Sequence, residues 1–229
     1  MIKAPIQEIF SSMQGEGILL GVPQIFVRFS GCNIDRCIYC DEPAKKGSFK
    51  TANQVLKTIE KLTKEIRPHS ISLTGGEPLL YGEFLEGLCK KLKRKDFLIY
   101  LETNGTLSKN LKRIKKYLDF IAMDVKLPSS TARQNYFSRH KEFLKNSPLA
   151  KTFIKVVITN NTKFNCFKKA VDLVRNIDKE IPFIIQPASK IKSVRPPKKE
   201  KVLLFFNYAL KFLEDVRLIP QIHKVMGAK

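Results

Sequence analysis

Short apolar runs alternate along the chain with stretches whose apolar residues recur every three or four positions. The runs at 25–29, 70–74, 97–102, 120–125, 153–158, 183–186 and 216–219 read as strands. Between the first two, Thr51 is placed to cap a helix whose Val55, Ile59, Leu62 and Ile66 fall on one apolar stripe. Phe84, Leu88 and Leu92 do the same for a second helix, and residues 202–213 form a last, strongly apolar one. Strands alternating with helices predict βα units around a parallel sheet, an α/β fold. A complete barrel of eight units takes about 250 residues. The pattern in 229 residues therefore predicts a partial, open βα barrel or a doubly wound sheet. Both bind ligands at the carboxyl ends of the strands. The one linker-like stretch, 189–200, places Pro196-Pro197 among lysines and reads as a loop before the last helix, so residues 1–229 are expected to form a single domain.

Composition narrows the function classes. With 43% hydrophobic residues, the chain can bury a sizeable core, which excludes disorder. Its longest apolar stretch, 202–213, is about half of the ~20 residues needed to span a bilayer, and the amino terminus lacks the apolar region of a secretory signal. A cytoplasmic protein with no membrane partner is the expectation. Forty-two Lys and Arg against 21 Asp and Glu give a net charge of +21, which invites a nucleic-acid hypothesis. The lysines, however, spread over predicted helix faces with Glu interspersed, which describes a solvated basic surface and argues against a nucleic-acid partner. Five cysteines, three of them between positions 32 and 40, do not make a disulfide framework in a reducing compartment; they suggest metal or redox chemistry.

The chemistry gathers where strands end. After the first predicted strand come Cys32, Cys37 and Cys40, three thiols within nine residues on one loop. A cubane iron–sulfur cluster has four irons, so three local thiolates leave one iron open to another molecule. A zinc knot using the same cysteines with His69 or Cys89 as fourth ligand is equally open on these residues alone. After the second strand the chain reads Thr74-Gly75-Gly76-Glu77-Pro78, where paired glycines allow a close backbone approach and Glu77 can receive an ammonium group. The remaining ends carry 101–105, 123–126 and 186–189, all polar. Apolar strands whose polar residues collect at one end describe a substrate site on one face of a sheet. Cys89 and Cys166 read as small core residues.

The cysteine loop followed by a Gly-Gly-Glu-Pro strand end resembles the radical S-adenosylmethionine superfamily, whose fold is a partial or full βα barrel. Within it, residues 9–17, residues 26–33, residues 101–105 and the Pro220-Gln221-Ile222-His223-Lys224 tail resemble the 7-carboxy-7-deazaguanine synthases; Gln14-Gly15-Glu16-Gly17 and the tail are particular to that family. The resemblance runs from about residue 5 to the carboxyl end. It implies a ring contraction on the way to 7-deazapurines such as queuosine. A reduced 4Fe-4S cluster would cleave S-adenosylmethionine to a 5′-deoxyadenosyl radical, which takes the hydrogen at C6 of 6-carboxytetrahydropterin; rearrangement with loss of ammonia then gives 7-carboxy-7-deazaguanine. The cofactor carries the hard chemistry and the protein supplies position and electrostatics.

By the same resemblance Cys32, Cys37 and Cys40 are the cluster ligands and Tyr39 packs against the adenine. Gly75, Gly76 and Glu77 hold the methionine amino group, with further cofactor contacts from Asp124, Val125, Lys126, Gln186, Pro187, Ala188 and Ser189. Met13, Gln14, Gly15, Glu16, Thr74 and His223 are implied to contact the pterin. Arg28 suits its carboxylate, because a planar guanidinium fork pairs two oxygens at once. The chain departs from the pattern twice. Four residues rather than three separate Cys32 from Cys37, and Glu42 stands where the family carries a Thr or Ser as a Mg2+ ligand. A homodimer and a flavodoxin or ferredoxin as electron donor are further expectations of the resemblance. The competing readings are a glycyl-radical-enzyme activase of the same superfamily and, from a different class, a zinc-containing RNA-binding protein.

Overall fold

The structure is a computed structural model and describes residues 2–34, 37–40, 46–191 and 194–227, the side chains of His223 and Val225 excepted. In chain order its elements are β1 (Lys3–Met13), β2 (Pro23–Phe29), β3 (Ser48–Thr51), α1 (Ala52–Leu62), β4 (Ser70–Gly75), α2 (Gly82–Lys93), β5 (Ile99–Thr103), α3 (Ser108–Ile114) and β6 (Phe120–Asp124). There follow α4 (Pro128–Thr131), α5 (Phe137–Asn146), β7 (Thr152–Ile158), α6 (Phe164–Arg175), β8 (Phe183–Pro187), α7 (Lys199–Leu210), β9 (Val216–Leu218) and α8 (Ile222–Val225). Among the described residues none of the helices is long and apolar enough to cross a membrane.

The strands form one sheet in the order β3-β1-β2-β4-β5-β6-β7-β8-β9. From β2 to β9 neighbours run parallel, as the βα alternation requires, while β1 runs antiparallel to both β2 and β3. From β2 to β9 the order runs one way, without the reversal of a doubly wound sheet, and the sheet ends at β3 and β9 without closing, so of the two architectures left open by the pattern it is the partial barrel. Every predicted strand is present, its ends moved by two residues or fewer. Two strands were not anticipated, β1 and the four-residue β3. The predicted helix at 202–213 is displaced to Lys199–Leu210, and it is not the last, because the short α8 follows β9.

Alternation sorts the strands into two faces. Val27, Leu73, Leu101, Met123, Val156 and Ile185 point toward the helices and join their apolar stripes in one large core. Val55 and Ile59 bring in α1, whose start is fixed by a capping box between Thr51 and Gln54. The opposite, inner face is apolar in its lower layer, where Tyr100, Ala122, Phe153 and Ile184 cluster, and again at Val157 beside Ala188. A short 3-10 turn, Gly17–Leu19, lies across that layer. Gly17 has φ +68°, and a Cβ there would stand 2.7 Å from the Phe153 ring, so only glycine lets the turn settle. Above this floor the inner face turns polar.

The open side of the sheet is bridged. Past β9 the chain crosses back to the amino-terminal loop, where the Ile222 amide donates to the Gly15 carbonyl at 3.1 Å and Gln221 Nε2 donates to Glu16 Oε1 at 2.7 Å. The tail thereby joins the two ends of an unclosed barrel above its floor.

Candidate active site

A cavity of about 540 Å3 opens at the carboxyl ends of β2, β4, β5, β6, β7 and β8. The cysteine loop forms one wall, with Cys32, Cys37, Tyr39 and Cys40. The Gln14 loop and the tail form the other, with Met13, Gly15, Glu16, Gln221 and Lys224. Between them the inner-face residues Arg28, Thr74, Glu102, Asp124, Lys155 and Gln186 form the base.

The cysteine loop is held from both sides. The Cys40 amide donates to the Cys37 carbonyl at 2.9 Å, closing a turn, and the Ile38 amide donates to Thr131 of α4 at 3.2 Å. At the other end Asn33 Nδ2 donates to Thr106 Oγ1 at 2.8 Å and Asn33 Oδ1 accepts from Asn104 Nδ2 at 2.8 Å. Cys37 is buried and Cys32 exposed. Although the Cys32 residue is exposed, its sulfur is partly shielded from water, and this desolvation pushes its thiol up, as burial does for Cys37; the Ile34 amide and then the Lys126 ammonium pull Cys32 down, and Lys126 pulls Cys37 down. Among the described residues no three of His, Cys, Asp and Glu are grouped around one metal ion. The fourth ligands considered for zinc are elsewhere: His69 bonds Ser70 Oγ at 3.1 Å, and Cys89 lies in the helix-side core.

Gly75 and Gly76 line the cavity, but the close approach they allow is within the protein. A side chain on either would run into the backbone of Phe29 or Gly31, and the Gly76 and Glu77 amides donate to the carbonyls of those residues at 3.0 and 2.8 Å. The glycines seat β4 against the root of the cysteine loop. Glu77 does not reach the cavity. It is fully buried, and its carboxylate accepts from Leu79 N at 3.0 Å, Thr103 Oγ1 at 2.9 Å and Asn104 N at 2.7 Å. Burial raises its pKa to about 7 against the pull of those bonds. In the structure it clamps the loop after β5 beneath the cysteines.

One polar chain runs along the base. Ser189 Oγ donates to Gln221 Oε1 at 2.8 Å, Gln221 reaches Glu16, and Lys155 Nζ pairs with Glu16 Oε2 and stands 3.9 Å from Asp124 Oδ2. Asp124 pairs in turn with Lys126 at 2.7 Å, and Lys126 donates to the Tyr39 hydroxyl at 3.3 Å and lies 5.2 Å from the ring centroid. Burial alone would lower both ammonium groups. The charges of Glu16, Asp124 and Glu102 around Lys155, and of Asp124 first around Lys126, outweigh it and hold both lysines charged. On the amino-terminal side Gln14 Nε2 donates to Gln24 Oε1 and to Glu102 Oε1, both at 3.0 Å, and Thr74 Oγ1 donates to Glu102 Oε2 at 2.7 Å. Arg28 is oriented by Glu8 at 2.9 Å and by the Phe10 ring, 5.3 Å away.

Lys155 and Glu102 were not singled out from the sequence as site residues. Val125 and Pro187, which were, are not in the cavity wall: Val125 is buried in the helix-side core. Ala188 and Ser189 do line it. Glu42 lies outside the described residues, as does the side chain of His223.

The residues present fit a 4Fe-4S cluster with S-adenosylmethionine bound beside it. Three thiols supply the donor set, and Asp124 Oδ1 and Gln186 Oε1, buried in the base of the cavity, have no hydrogen-bond partner among the described residues. Unpartnered buried acceptors suit the hydroxyl and ammonium donors of such a ligand.

A model of the radical SAM superfamily matches residues 26–177. The chain is 34% identical to the 7-carboxy-7-deazaguanine synthase of Geobacter sulfurreducens, covering 98% of this chain and 97% of that one. It is 35% identical to the 7-carboxy-7-deazaguanine synthase of Methanothermobacter thermautotrophicus, covering 100% and 99%. Among solved structures, the crystal structure of QueE from Escherichia coli superposes with a TM-score of 0.66 at 20% identity, covering 96% of this chain and 94% of that one, which is likeness of fold.

Proposed function

Since the chain belongs to the radical SAM superfamily, and within it to the family of 7-carboxy-7-deazaguanine synthases, we propose that its cavity converts 6-carboxytetrahydropterin to 7-carboxy-7-deazaguanine with loss of ammonia. The observation that carries this reading is the meeting, in one cavity, of a three-cysteine loop with a base of paired charges contributed by the Gln14 loop, the inner face and the tail. An activase working on a partner protein has no use for such a closed set of small-molecule contacts, and the family relatives do not favour it.

Cys32, Cys37 and Cys40 would hold the cluster, which when bound with S-adenosylmethionine supplies a one-electron cleavage of the sulfonium. Gly75 and Gly76 present backbone to the cofactor, and Asp124, Lys126, Gln186, Ala188 and Ser189 present polar groups to it. Tyr39, pinned by Lys126, walls the adenine side. Across the cavity Gln14, Glu16 and Thr74 meet the pterin edge, Arg28 its carboxylate, and His223 completes that side from the tail. Lys155 ties the two halves, because its ammonium is shared between Glu16 of the substrate wall and Asp124 of the cofactor wall. The reading treats residues 1–229 as one domain, supported by the single continuous sheet. A flavodoxin or ferredoxin as electron donor, a second copy of the chain, Mg2+ near Glu42 and a cytoplasmic location belong to the same reading; what supports them is the resemblance of the motifs.

The test is an anaerobic reaction of the iron- and sulfide-reconstituted protein with S-adenosylmethionine, a reductant and 6-carboxytetrahydropterin, followed by mass spectrometry. Formation of 7-carboxy-7-deazaguanine is expected. Release of 5′-deoxyadenosine without it, from a fully loaded protein, would overturn the substrate.

A further inference from the structure

Asn104, in the loop after β5, is held at every polar atom. Its backbone amide donates to Glu77 Oε2 at 2.7 Å, and its carbonyl faces His140 Nε2 at 3.1 Å. Burial lowers the His140 pKa to about 4, so the ring is neutral. Asn104 Oδ1 accepts from the Thr106 amide at 3.2 Å and from the Thr106 hydroxyl at 2.6 Å. An N–H donor on that side fixes the orientation of the amide, since the flipped group would set donor against donor. Of its two remaining N–H bonds, one goes to Asn33 Oδ1 at 2.8 Å and the other points at Cys32 Sγ, 3.8 Å away.

We propose that Asn104 is a positioning residue that donates an N–H···S hydrogen bond to the Cys32 thiolate of the bound cluster and thereby raises the cluster's reduction potential. The inference rests on the cluster reading above. Reduction adds negative charge to the cluster and its sulfur ligands, so a fixed donor stabilises the reduced state more than the oxidised one.

The experiment is an anaerobic redox titration of the reconstituted protein, read by electron paramagnetic resonance, for the unaltered chain, Asn104→Ser and Thr106→Val. Asn104→Ser removes the donor, and the ratio of reduced to oxidised cluster at a fixed ambient potential is expected to fall about tenfold, a midpoint lower by about 59 mV for one electron. Thr106→Val disturbs the same network but leaves the N–H in place and is expected to change the ratio less than threefold. An unchanged potential in a fully loaded Asn104→Ser overturns the inference, as does an equal fall in Thr106→Val. If Asn104→Ser takes up no iron, the unaltered chain decides: labelled with [15Nδ2]asparagine, its reduced cluster is expected to show coupling to the label in spin-echo spectra, and no coupling overturns the inference. Failure of the unaltered chain to take up iron and sulfide overturns the cluster reading itself.

Discussion

At the scale of single residues the site is an exercise in placing charge where water is scarce. Lys155 is nearly covered and shared by two carboxylates, and removing one partner of such a group leaves the others uncompensated. Lys155→Met is expected to lower stability by about 3–5 kcal/mol in denaturant unfolding and to reduce turnover more than tenfold, with cluster loading retained. Glu77 has the opposite problem, a carboxyl kept from water. Its folded pKa, about 7, stands above its ordinary 4.5, so between those values the folded state binds the proton and the unfolded state does not. Stability from this group is therefore present below about pH 4.5 and lost as the pH rises to about 7, a change of about 3 kcal/mol. Glu77→Gln should remove that slope when unfolding free energies are compared at pH 5 and pH 8; an identical slope in both proteins would contradict the assignment.

At the scale of elements the parallel strands and the main helices were legible because their patterns are strong. Ile71, Leu73, Ile154 and Val156 leave no other reading, and Thr51 with Gln54 announces the start of α1. β1 was not legible. Its Gln7, Glu8, Ser11 and Ser12 break the alternation, because a bulge between Ile6 and Glu8 shifts its register and its inner face looks on polar groups. Lys155 was hidden for a related reason. It is the single charge in an otherwise apolar strand, and only strand parity and the register that sets it beside Asp124 mark it as inward-facing. The burial of Glu77 was not legible either, because it depends on the Gly-Gly turn packing on Phe29 and Gly31, a contact between distant segments. Two elements can be tested directly. Gly17→Ala strains a left-handed residue and presses on Phe153, with an expected cost of about 2 kcal/mol in thermal unfolding and a weakened Glu16–Lys155 pair. Ending the chain after Leu218 removes the tail but little of the core. It should keep circular dichroism and iron content, and raise the KM for the pterin at least tenfold.

At the scale of the molecule the fold solves one geometrical task. An unclosed sheet leaves the mouth wide, the Gly17–Leu19 turn raises a floor across its lower layer, and the tail ties the two ends together above that floor. The thiols then stand on one wall, the Gln14 loop and the tail on the other, and a single run of paired charges connects them. The basic exterior lies away from that arrangement: on α2 Lys90 pairs with Glu86, and just past its end Lys95 pairs with Glu60. Under the proposed function, cofactor and pterin occupy this one cavity together. This is tested most directly with 6-carboxytetrahydropterin deuterated at C6 and unlabelled S-adenosylmethionine, with the mass of the 5′-deoxyadenosine measured after turnover. The expected result is 5′-deoxyadenosine heavier by at least one deuterium, formed together with 7-carboxy-7-deazaguanine. Product formed with 5′-deoxyadenosine of unchanged mass would contradict it.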